Sequence, residues 1–382
     1  MKNKTSPHFL IAMDSFKGSA SSLEVADCVK DGLLRVEPLA KADILPIADG
    51  GEGTVEALVK GLRGSFETVS VSGPLGQKVT ARYGIINGNQ AVMEMAEASG
   101  LTLVQSAERN PFMASSYGTG EMILAALKKG IRRIYIGIGG SATNDGGAGM
   151  AQALGISLLD KNGKEIPRGA QGLPALAQIR TETLDPRVLE AEIRVLSDVN
   201  NPLCGEHGAS RIFGVQKGAS LQDCLKLDEI LCHWAEMVRA ATGADFADHR
   251  GSGAAGGLGF ALLAFCGAKI QPGIESILDL IHIEEYLPNI DCVITGEGRM
   301  DNQSVFGKAP IGVARRAKKY NLPVIAIVGS RALNLDEAYK AGVDLVIDLI
   351  HEPMTLQQAM QQTPQLARLA GENALKAYTL RN

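Results

Sequence analysis

Four acids define the chemistry open to this chain. Asp14 in AMDSFKG, Asp49 in IADGGEG, Asp198 in LSDVNNP and Glu297 in TGEGRMD each follow an apolar run that reads as a strand. Parallel α/β sheets bind ligands beyond the carboxyl ends of their strands. One acid there would ordinarily be a loop residue or helix cap, but four beside glycine, asparagine or serine point to a polar cleft. Such carboxylates can hold Mg²⁺, which takes oxygen ligands together with waters and substrate phosphates. One of them can also accept the proton of a hydroxyl nucleophile. Cations accompany them. Lys17 lies in the first strand–helix loop, DSFKGS, where it could meet a carboxylate or a phosphate, and Arg299, Lys308 and Lys217 occupy other glycine-bearing loops. Acids that hold a metal, with cations converging on them, are what phosphoryl transfer requires.

A second candidate is the stretch IYIGIGGSATNDGGAGMAQAL, residues 134–154. Ile134, Tyr135, Ile136 and Ile138 read as a buried strand, the glycines permit positive φ and close ligand approach, and a helix starts at Ala148. Strand, glycine-rich loop and helix start together form the type of anion cradle in which N–H groups and the positive helix end meet phosphate. Gly139, Gly140, Ser141, Asn144, Asp145, Gly146 and Gly147 would line it. The competing reading is a tight βα turn with no ligand.

Other motifs fail. GSGAAG at 251–256 matches the dinucleotide fingerprint, but ADFADHR before it is no strand. Gly307-Lys308 lacks the Walker A spacing, the six histidines show no H-E-x-x-H, and no G-x-S-x-G elbow occurs.

The elements that must position these groups follow from periodicity. Residues 8–14 read as a strand, followed by an amphipathic helix with Leu23, Ala26, Val29, Leu33 and Val36 on one face. A second strand is expected at 44–48 and another helix after Gly53-Thr54. This βαβα opening implies a parallel sheet. Near Phe66 the pattern alternates between the turns Gly73-Pro74 and Asn87-Gly88-Asn89, which is hairpin patterning. A strand at 193–196 follows, then a helix at 221–241 in which Trp234 shares the core face of Leu227, Ile230, Leu231 and Val238. From Cys292 the βαβ pattern returns (CVITGEG, PVIAIVG, DLVIDLI), with Pro310 suited to a first helical turn. The expected fold is α/β with two domains: a Rossmann-like parallel-sheet domain from both chain ends (1–66 and 287–382) and an inserted mixed α/β domain (67–286). Gly296 and Gly298 could serve as hinges there, or as plain turn glycines.

The 382 residues suit two domains, and 45% hydrophobic content can fill two cores. A net charge of −4 gives no reason to expect a nucleic-acid or anionic-membrane partner. The six cysteines show no zinc spacing and read as reduced core residues. With no signal-peptide pattern and no apolar stretch near the ~20 residues of a membrane span, a cytoplasmic protein is expected.

Taken in order, DSFKGS, PIADGGEGT, GPLG, MEMAEASGL, GIGGSATNDGGAGM, DVNNPLCG, QKGA, GAAGGLG and TGEGRMDNQS resemble the loops of the bacterial glycerate kinase family, from about Phe9 to Asp348. The resemblance implies a two-domain protein of the glycerate kinase I fold, unrelated to P-loop and protein-kinase folds. It implies that Mg-ATP phosphorylates D-glycerate, giving 2-phosphoglycerate in glyoxylate and sugar-diacid (glucarate, galactarate) breakdown, in a monomer or homodimer. On that basis glycerate would lie between the domains. Asp14, Ser15, Lys17, Arg299 and Asp301 would bind it, with Lys17 on its carboxylate. ATP phosphates would meet 139–147, and Asp198, with Asp145 or Glu297, would arrange Mg²⁺. Asp49 or Asp198 would orient or deprotonate the hydroxyl, so that Asp198, Asp49 and Lys17 form the catalytic set. Formation of 3-phosphoglycerate or use of another hydroxy acid is the near alternative. A nicotinamide-dependent oxidoreductase lacks its fingerprint after the first strand, and a non-catalytic metabolite sensor would be separated by a turnover assay.

Overall fold

The computed structural model of the protein describes residues 6–301 and 307–381, the last by its backbone alone. Residues 302–304, the end of the TGEGRMDNQS motif, lie outside the described residues, as does the start of the chain before Ser6.

In chain order the strands are β1 (His8–Met13), β2 (Lys41–Ile44), β3 (Ser65–Ser72), β4 (Lys78–Ile86), β5 (Gln90–Glu94), β6 (Arg133–Gly137), β7 (Ser157–Leu159), β8 (Gln178–Arg180), β9 (Glu192–Leu196), β10 (Lys269–Gln271), β11 (Cys292–Met300), β12 (Val324–Arg331) and β13 (Leu345–Asp348). The chain divides into two compact units. The first is Met1–Asp49, Glu56–Arg63 and Gly273–Asn382, as far as these are described; the second is Gly50–Val55 and Gly64–Pro272. The sequence reading set the return to the first unit at 287 instead of 273 and left 50–55 and 64–66 outside the second.

The first unit carries a parallel five-stranded sheet in the order β13-β12-β11-β1-β2. The inner stretches of its central strands, 9–13, 292–297 and 324–328, are buried, as expected where helices cover both faces. The helix Ser22–Val36 starts at a capping box in which Ser21 and Glu24 satisfy each other's backbone N–H. Its Val25, Ala26, Val29 and Leu33 face the core with Leu366, Ala367 and Ala370 of the helix Thr363–Arg381.

The second strand ends earlier than the expected 44–48. The ladder nonetheless runs on, because Leu45 and Ile47 donate to the carbonyls of Ile11 (2.9 Å) and Met13 (3.2 Å). Pro46, between them, turns its missing donor away from β1 at the sheet edge, where proline is tolerated. Gly296 and Gly298 lie inside β11, and a Cβ on Gly296 would stand 1.9 Å from the Ile327 carbonyl oxygen. Close strand packing requires that glycine, so it is a strand residue and not a hinge.

The second unit is mixed. Its six-stranded sheet has the order β10-β9-β6-β5-β4-β3; β3, β4 and β5 pair antiparallel and β5, β6, β9 and β10 parallel. Asn87 (φ 50°) and Gly88 (φ 78°) take the positive φ that the β4–β5 turn needs. The helix Leu221–Thr242 buries Leu227, Leu231, Trp234 and Val238. All six cysteines are free thiols.

Candidate active site

In the first unit, β1 leads on one side to β2 and on the other pairs with β11, so the strand order reverses between β1 and β11. Such a switch point leaves a crevice beyond the strands' carboxyl ends. The protein has there a cavity of about 560 Å³ lined by Asp14, Ser15, Lys17, Asp49, Glu297, Arg299 and Lys308, among others. Asp14 follows β1 directly. The Phe16 and Ala20 backbones then pair in a tight turn, in which Gly18 takes φ 77° and Lys17 is exposed near the tip. Glu297 and Arg299 belong to β11, which stays paired with β12 as far as Met300.

Burial pushes the Asp14 carboxyl up to about 7, helped by the charge of Asp49, while the Ser15 N–H and Lys17 pull the other way. Glu297 is buried and receives the Lys308 ammonium at 3.0 Å, and Lys308 also donates to the Arg299 carbonyl at 3.2 Å. The exposed Arg299 guanidinium stands 3.6 Å from Asp301. Ser15, Lys17, Asp49, Glu297 and Arg299 thus line one cavity with Asp14, and Lys308 joins them. Asp301 is not among the lining residues; it pairs with Arg299 at the side.

In the second unit, Glu94, Gly137 and Leu196 stand side by side at the ends of β5, β6 and β9. The 139–147 loop and the half-buried Asp198 follow from that edge. Gly139 and Gly140 are exposed and Ser141 is buried; the remainder of the loop is closed off from solvent. Asp145 is fully buried. Its carboxylate accepts the N–H of Ser116 (2.8 Å), the Ser116 hydroxyl (2.9 Å), and the N–H groups of Gly147 (3.1 Å) and Gly149 (3.2 Å). The Ala148 N–H goes to the Asp145 carbonyl and that of Met150 to Ser116 Oγ. The donors that would have formed an anion cradle at this helix start are therefore consumed inside the protein.

Two expectations change as a result. Asp145 cannot arrange a metal, since its oxygens already serve internal donors away from solvent. Asn144 (its amide donates to Ser210 Oγ at 2.8 Å), Gly146 and Gly147 are structural parts of the loop rather than a phosphate surface. Gly146 accepts from Trp234 Nε1 (3.0 Å) and donates to the Gly256 carbonyl (2.9 Å). Behind the loop Lys217, also buried, donates to the Thr143 carbonyl at 2.6 Å. Burial lowers its ammonium to about 7 and raises the Asp145 carboxyl, while the charge of Asp145 opposes the fall. GAAGG has a packing role: Gly256, at φ 67°, lies where a Cβ would stand 2.1 Å from the Thr143 carbonyl oxygen.

Among the described residues, no three His, Cys, Asp or Glu side chains lie together as a metal site. The donor chemistry of Asp14, Asp49 and Glu297 still fits Mg²⁺ carried by phosphates, because that ion takes only one or two protein carboxylates in such complexes.

The family model described as the glycerate kinase family matches residues 9–379. The chain belongs to that family. This family member is 49% identical to a protein named glycerate 2-kinase from Escherichia coli K12, over 92% of this chain and 93% of that one. It is 47% identical to a glycerate kinase from Halalkalibacterium halodurans, over 95% and 96%. Its fold superposes on the crystal structure of a candidate glycerate kinase 2 from Salmonella typhimurium LT2 with a TM-score of 0.88 and 46% identity, covering 98% and 99% of the two chains. The protein is a kinase, with ATP as the co-substrate its family implies. Among the described residues no helix is long and apolar enough to cross a membrane.

Reading this glycerate kinase family chain as sequence missed Glu94. It ends β5, is buried and accepts the Val55 N–H at 2.8 Å, and burial pushes its carboxyl up to about 7 against the pull of the Val55 and Gly53 N–H groups. The signal was present, since MEMAEASGL places an acid at the end of an apolar run as AMDSFKG does.

Proposed function

We propose that this protein transfers the γ-phosphoryl group of ATP to the 2-hydroxyl of D-glycerate, forming 2-phosphoglycerate in glyoxylate and sugar-diacid breakdown. The observation that carries the reading is the Asp14–Asp49 pair beside Lys17, Arg299 and Lys308 in one cavity at the switch point. The name of the Escherichia coli relative supports the 2-position.

Lys17 and Arg299 hold the substrate carboxylate, as charge-assisted pairs do. The hydroxyl oxygen bonds to the γ-phosphorus as the bond to the β–γ bridging oxygen breaks and ADP leaves. The hydroxyl proton passes to the Asp14–Asp49 pair; a carboxyl held near 7 is matched to taking and releasing a proton at neutral pH. Lys308, braced by Glu297, offers positive charge to the transferring group. Mg²⁺, when bound with the nucleotide, would be held by Glu297 or Asp49 and would neutralise phosphate charge. In the second unit, Gly139, Gly140 and Ser141 are the part of the glycine loop offered to phosphate, and Asp198 the acid offered beside it.

The test is ADP release with D-glycerate, ATP and Mg²⁺, followed by ³¹P NMR of the product. A 2-phosphoglycerate signal is expected. A 3-phosphoglycerate signal would overturn the regiochemistry, and no turnover by folded protein would overturn the substrate.

A further inference from the structure

The cavity in the first unit is lined by two unlike sets of residues. Its charged residues come from 14–17, Asp49, 297–299 and Lys308, whereas Leu349, Ile350, Leu356, Ala359, Met360 and Leu366 supply an apolar wall from the end of the chain. That wall is fixed against the Lys17 turn: Ser19 Oγ and Thr363 Oγ1 are 2.9 Å apart, and a Cβ on Gly18 would meet Met360 Cε at 3.1 Å.

Glycerate cannot use such a wall. Each of its three carbons bears oxygen, and a molecule so small leaves most of about 560 Å³ empty; pockets of about 300–1,000 Å³ enclose far larger ligands. Ile350 and Leu356 meanwhile stand 39% and 75% exposed at the cavity, so an apolar partner would gain by covering them. The nucleotide donor has the matching division: a flat ring of low polarity at one end, a polyanion at the other.

We infer that the apolar end of this cavity, walled by Ile350, Leu356, Ala359 and Met360, receives the purine ring of the nucleotide, with its phosphates toward Lys308. The inference rests on ATP being the donor.

The test is calorimetric titration of the full chain with ADP, comparing the wild type with Ala359→Trp, which fills the apolar end, and Leu356→Asp, whose exposed position leaves folding undisturbed. Both substitutions weaken ADP binding about tenfold, and the KM for glycerate stays within about twofold. Unchanged ADP affinity in Leu356→Asp and in folded Ala359→Trp overturns the inference. A rise in glycerate KM alone also overturns it and assigns the apolar end to the acceptor. If wild-type protein binds ADP with this dependence yet leaves glycerate unphosphorylated, the functional reading fails and the nucleotide site stands.

Discussion

Asp145 binds Ser116 twice, through the backbone N–H at 2.8 Å and the hydroxyl at 2.9 Å, and so ties the glycine-rich loop to the start of the helix Tyr117–Lys128. The loop keeps its shape without any ligand, because its own carboxylate does what a bound anion would do at an open helix end. Asp145→Ala leaves those donors buried and unmet, at a cost of about 3 kcal/mol or more. Urea denaturation is expected to show that loss, while any folded fraction keeps the wild-type Mg²⁺ dependence.

Gly256→Ala tests the support behind the same loop. The new Cβ would stand 2.1 Å from the Thr143 carbonyl oxygen, at a residue held at φ 67°. Strain and overpacking together cost about 3 kcal/mol or more, to be read as a lower urea midpoint with an unchanged slope.

Lys217 makes stability depend on pH. Its folded value of about 7 lies below the ordinary 10.5, so between these pH values the unfolded chain binds a proton that the folded one lacks. Its contribution to stability therefore rises as pH rises from about 7 to 10.5. Lys217→Met is expected to flatten that part of the curve of Tm against pH.

Asp14 acts in the opposite sense. Raised from 3.8 to about 7, it holds a proton in the folded state that the unfolded chain has already lost, so stability falls as pH rises through that window. Asp14→Asn removes this slope. If Asp14 receives the hydroxyl proton, the same substitution also lowers kcat by about 10²–10⁴-fold and removes an activity limb near neutral pH.

The acids that follow apolar runs and the Lys17 turn were legible because each is local: an apolar run, then Asp or Glu, with glycine, asparagine or serine close by. Two features were not. Asp145 reads from its neighbours as a loop acid open to solvent, yet its principal partner, Ser116, lies far back along the chain and no spacing rule connects them. The wall from Leu349 to Leu366 was missed for a related reason. Its residues have the composition of ordinary helix-packing positions, and only the tertiary placement beside the Lys17 turn makes them part of a cavity. Trp234 was legible in part, as core; its bond to the Gly146 carbonyl was not.

The measurement that bears most directly on the central claim is steady-state phosphorylation of D-glycerate by Asp49→Asn beside the wild type, with folding checked by near-ultraviolet circular dichroism. Asp49 lines the cavity and its charge helps raise Asp14. Its loss is expected to lower kcat by about 10²-fold or more with the fold intact. Turnover near the wild-type rate would place the chemistry elsewhere and contradict the assignment of this cavity as the site of phosphoryl transfer.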